Sequence, residues 1–170
     1  PGLLECTVNN LIKLTLCLLT LCWPASQLTA HPSAAEDIQS VATEMHEIWD
    51  KPGMPLTLPV IVMHQGMAIA DWLQGDKGGR ALLKYHPAHR HWHTLLCGGA
   101  ELTSATRLQE AGMRSVDASA LAAKLAQSEQ DGLTPEQRLR IESFQGVVKF
   151  SKGKPVSSTG HDMHGDRHGH

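Results

Sequence analysis

Residues 56–97 read LTLPVIVMHQGMAIADWLQGDKGGRALLKYHPAHRHWHTLLC. The stretch divides into four short runs rich in β-branched and aliphatic residues: 56–64, 67–74, 80–86 and 91–97. They are separated by Gln65-Gly66, by GDKGG and by PAHR. Connections of two to five residues between such runs predict antiparallel hairpins in sequence, a meander. Pro59 cannot donate to a ladder, so the first strand belongs at an edge. Gly78 and Gly79 are expected to permit left-handed backbone in the second turn.

Helical patterns flank the meander. AAEDIQSVATEMHEIWD (34–50) spaces Ile38, Val41, Met45, Ile48 and Trp49 as one helix face, and Ser33 with Glu36 has the form of a capping box. KPGMP ends it. His46, one position after Met45, falls at the edge of the apolar stripe and is a candidate ligand. After Gly98-Gly99, ELTSATRLQEAG ends in a C-cap glycine, Gly112. DASALAAKLAQSEQ starts at a capping Asp117. TPEQRLRIESF carries Thr134 as N-cap and Pro135 at the first helical position. GVVKF (146–150) reads as a short last strand. The expected fold class is α+β, a two-layer sandwich. An N-terminal helix packs on a four-stranded antiparallel meander, followed by two or three helices and the short last strand.

The chain has 170 residues, 41% of them hydrophobic, enough for one packed domain plus tails. A net charge of −2 offers no basic face for nucleic acid, and 4% aromatics offer no stacking platform. Three regions are expected: a signal peptide over 1–30 with an upstream extension 1–7, a single domain over 31–150, and a disordered tail over 151–170. Met45 is the first methionine, so the chain reads as a fragment or an extended reading frame. VNNLIKLTLCLLTLCWPASQLTA from Val8 has the charged start, apolar middle and polar end of a secretory signal. Its apolar run is shorter than the roughly 20 residues of a membrane span. Cys6, Cys17 and Cys22 lie in that segment, so cleavage leaves Cys97 alone, without an internal disulfide partner.

Histidine is over-represented at 11 copies, eight of them in two clusters, 86–93 and 161–170. Neutral imidazole suits copper, zinc or nickel. On an ideal strand His91, His93, Leu95 and Cys97 share a face. His91 and His93 are then about 6.6 Å apart, within reach of one ion, whereas Cys97 lies about 13 Å beyond His93. Metal–ligand bonds of about 2.0–2.3 Å forbid a single site from all three. Cys97 is a buried thiol, or a soft-metal ligand whose pKa the following helix lowers. The tail HDMHGDRHGH supplies His161, Met163, His164, His168 and His170. Imidazole with thioether suits copper in both oxidation states. Cleavage after Ala30 would add an N-terminal His31. Asp71 is expected to partner Arg80, and Trp72 to anchor the core. No acid–base pair, triad or phosphate loop in its strand–loop–helix context is present, so no enzymatic activity is expected.

The segments ADWLQGDKGGRALLKY (70–85), HWHTLLCGGAELTSATRLQEAGM (91–113) and FQGVVKF (144–150) resemble the small exported copper uptake system-associated proteins. The resemblance spans 38–150. It implies a periplasmic accessory to copper acquisition, with no catalytic residues to carry over. Copper, or zinc, is the expected ion, and a copper transporter or outer-membrane receptor the expected partner. The rival expectation is a periplasmic module that binds a protein or peptide, its tail serving only solubility.

Overall fold

The computed structural model describes residues 34–151 and 154–156. The signal-peptide reading and the tail histidines fall outside them. Helix α1 (Ala34–Trp49) precedes strands β1 (Thr57–His64), β2 (Met67–Gln74), β3 (Lys77–His86) and β4 (His91–Gly98). A 3₁₀ turn (Ala100–Thr103) follows. Helices α2 (Ala105–Glu110), α3 (Ser115–Gly132) and α4 (Pro135–Glu142) then lead to β5 (Val147–Ser151) and β6 (Lys154–Val156). The class is mixed α+β, as the alternating and helical patterns predict. The strands form one antiparallel sheet in the order β1-β2-β3-β4-β5-β6, with β1 at an edge.

The connections follow from backbone chemistry. Gln65 and Gly66 both take positive φ, 50° and 71°, the pattern of the tight turn whose twist matches a hairpin. Gly75 opens the next turn at φ 60°. Gly78 and Gly79, expected in that turn, lie inside β3 and are not among the positive-φ glycines. Close packing requires them instead. A Cβ on Gly79 would stand 2.8 Å from the Trp72 ring and 3.0 Å from Phe144. α4 starts with a complete capping box: the Thr134 hydroxyl accepts from the Gln137 amide, and the Gln137 side chain accepts from the Thr134 amide. Asp117 does not cap α3, whose N-cap is Arg114. It accepts instead from the Arg114 guanidinium and pairs with His64.

The two-layer expectation is corrected: both faces of the sheet are covered. Val60, Val62, Ile69, Leu73, Leu82 and Leu96 meet Leu108, Leu121, Leu125 and Ile141 from the C-terminal helices. The alternate residues Ala68, Ala70, Ala81 and Leu83 meet Val41 and Met45 of α1. β2 is buried at six of its eight positions because each face has a cover. The Trp92 Nε1–H donates to Ser40 Oγ at 2.8 Å and ties α1 to β4. Ser151 and Lys154–Val156, expected to lie in a structureless tail, are in strands, because β6 adds to β5. All three β6 side chains are exposed, so ladder hydrogen bonds rather than burial hold it, and a hydrophobic pattern has nothing to reveal there.

Candidate functional site

β4 decides which of the candidate residues meet. In the β3–β4 ladder, Leu82 opposes Leu96 and Leu83 opposes Thr94, so Leu95 is an extra residue on β4. A bulge of one residue shifts the alternation by one. Trp92 and Cys97 therefore both face α1, while Leu95 and Leu96 pack towards the C-terminal helices. The expectation that Cys97 shares a face with His91 and His93 is thereby overturned.

The histidines come together instead across the hairpin. His86 opposes His91 in the ladder, and Lys84 opposes His93. The His91 and His93 rings lie 4.1 Å apart between centroids, edge to face, and His86 and His93 lie 4.5 Å apart. His89 stands 5.7 Å from His91. His86, one of the four histidines that the sequence places around this hairpin turn, is thus central. Its signal was the hairpin register. Burial and the three neighbouring imidazoles hold the His93 pKa below its usual value, which favours the neutral ring that binds metals. Burial raises the carboxyl of Glu44 on α1, and His91 acts against that rise. Among the described residues no three His, Cys, Asp or Glu side chains already converge as a metal cage. The rings of the cluster touch edge to face, so a shared ion requires rotation of these partly exposed side chains.

Cys97 is 8% exposed, and burial pushes its thiol up to about 12. The expected lowering by the following helix does not occur, since desolvation of the thiolate outweighs it. Cys97 lines a cavity of about 380 Å³ between α1 and the sheet. Met45 and Trp49 of α1 form one wall, and Trp72 and Cys97 the other. Phe144 packs edge-on against Trp72 and Phe150 against Trp49, at 6.0 and 5.3 Å. Trp72, expected in the core, is therefore a cavity wall. Lys51, Gln74, Asp76 and Lys77 complete the lining. His46 takes no part in the cluster: its Nδ1 pairs with Asp50 at 3.0 Å.

On the opposite face Asp71 does partner Arg80, in a buried charge network. Arg80 gives Nε and a terminal nitrogen to Glu129 at 2.7 and 2.9 Å, and its other terminal nitrogen to the Gly99 carbonyl at 3.0 Å. Asp71 lies 3.5 Å from Arg80 Nε, fully buried, and neither of its oxygens has a hydrogen-bond partner among the described residues. Burial, reinforced by the charge of Glu129 and opposed by Arg80, pushes the Asp71 carboxyl up to about 7. No family model, no curated protein and no solved structure matches this chain.

Proposed function

We propose that this chain is a copper-handling protein of the periplasm that captures the ion and passes it to a partner such as a copper transporter or outer-membrane receptor. The reading is non-catalytic. Its strongest support is the contact among His86, His91 and His93 at a partly exposed hairpin end. Three imidazoles, with His93 at 4.1 Å from His91 and 4.5 Å from His86 and the outer pair 6.4 Å apart, supply the donor type that copper and zinc take. The tail residues His161, Met163, His164, His168 and His170 would add a second, faster-exchanging donor set. The copper uptake resemblance and the export signal point to the same role. Cys97, on the other face and held as a thiol, stands outside the imidazole site. Among the described residues no helix is long and apolar enough to cross a membrane.

The test is competitive titration of Cu(I) and Cu(II) against a chelator, using the chain from His31 with and without residues 157–170. The truncated chain is expected to keep one equivalent of Cu(II). His93→Ala and His86→Ala are each expected to weaken it at least tenfold, and Cys97→Ser to leave it unchanged. If all affinity leaves with the tail, the hairpin site is refuted and the folded domain becomes a partner-binding module.

A further inference from the structure

The cavity between α1 and the sheet has no role in copper capture by the hairpin, and its chemistry points elsewhere. Its lining is aromatic and aliphatic along most of its length. At about 380 Å³ it falls in the size range of small-molecule sites. Cys97 opposes Ala81, four residues along β3 from Lys77, so the cavity extends about 13 Å along the sheet. A volume of this size drawn out over that length suits one extended chain.

The polar groups gather at one end. Gln74 Nε2 donates to the carbonyls of Trp49 (2.8 Å) and Met54 (3.1 Å), which brings the Lys51–Met54 bridge beside the Gly75–Asp76 turn. Lys51 and Lys77 therefore both line this end of the cavity, with Asp76 as the carboxylate among the described lining residues. Neither lysine forms an ion pair among the described residues. Trp49, a wall residue near the same end, has its Nε1–H buried with no acceptor among the described residues. A buried donor without an acceptor is costly, and a ligand oxygen would relieve it.

We propose that this cavity binds an unbranched alkyl carboxylate, with the hydrocarbon running towards Cys97 and Phe144 and the carboxylate at Lys51 and Lys77. The site is independent of metal. The apolar walls supply affinity through burial, about 0.8 kcal/mol per methylene, and the lysines set the orientation.

The experiment titrates the full chain, metal-free, with dodecanoate below its micelle concentration, and with dodecanol and dodecylammonium in parallel. Tryptophan fluorescence and ¹³C-methyl methionine spectra report binding. Dodecanoate is expected to saturate at one equivalent and to shift the Met45 and Met54 methyls but not that of Met113. Dodecanol should bind at least tenfold more weakly, and dodecylammonium more weakly still. Lys51→Glu with Lys77→Glu, both surface changes, should reverse the preference between the two charged amphiphiles. Met54→Trp, at a position 44% exposed, should narrow the cavity and weaken dodecanoate at least tenfold while the Met45 methyl stays dispersed in a folded spectrum. Absence of saturable binding overturns the proposal. So does equal binding of the three amphiphiles, or methionine shifts that ignore the cavity.

Discussion

At the scale of single residues, Asp71 is a buried carboxyl that is costly to ionise. It is fully buried without a hydrogen bond among the described residues, and its ionised form depends on Arg80, which already gives its better contacts to Glu129. Arg80, Glu129 and Arg138 are the charged groups that face it, from β3, α3 and α4. The folded-state pKa of about 7 lies above the unfolded value of about 3.9. The native state therefore holds this proton more tightly. Its stabilising effect is complete below about pH 4 and is lost as pH rises through 7. Asp71→Asn should flatten that slope, leaving the protein more stable than the parent at pH 8 by a few kcal/mol, since each pH unit between the two pKa values is worth roughly 1.4 kcal/mol. The difference should shrink towards pH 5. Urea unfolding across pH 5–8 measures it, and parallel profiles for the two proteins would contradict the account. Arg80→Met is expected to cost about 3–5 kcal/mol, because it strands buried carboxylate charge.

At the scale of elements, close approach and register matter more than propensity. Gly79 sits where Trp72 of β2 and Phe144 after α4 meet β3. Gly79→Ala should destabilise by about 1–3 kcal/mol through overpacking, whereas Gly66→Ala acts only through its positive φ. Comparing thermal unfolding of the two variants, with near-ultraviolet dichroism of Trp72 as the packing signal, separates the causes. Only Gly79→Ala should change the tryptophan signal. At the start of α4, Thr134→Ala removes one half of the capping box and should cost about 1 kcal/mol, read from the denaturant midpoint. The bulge at Leu95 is a local departure of a single residue with a large consequence, since it turns Cys97 into the cavity and leaves the imidazoles to gather on their own.

At the scale of the whole molecule, two cores share one sheet. The face under α1 carries Ala68, Ala70, Ala81, Leu83 and Trp92. A chain that starts at residue 52 would expose that face as a large apolar patch, of the kind that drives association or dye binding. Such a truncation is expected to bind an apolar fluorescent dye and to lose cooperative unfolding, although every strand remains present. Sharp two-state unfolding of the truncated chain would show that α1 is dispensable.

Local sequence suffices for the α+β class, the strand runs, the edge position of β1, the Gln65-Gly66 turn and the Thr134 cap. Each rests on the period of neighbouring residues or on the backbone chemistry of one or two of them. Gly78 and Gly79 escape such a reading, because glycine serves both positive φ and close packing, and only the neighbours distinguish the two. Tertiary packing is what covers both faces with helices, extends the sheet with β6, and joins His86 rather than Cys97 to His91 and His93. It also makes Cys97 and Trp72 the walls of a cavity with lysines at one mouth. The cause is the same throughout. Which face a side chain takes depends on register, and one inserted residue reverses it. Which groups then lose water or meet a charge depends on partners distant in the chain, and these no local period records.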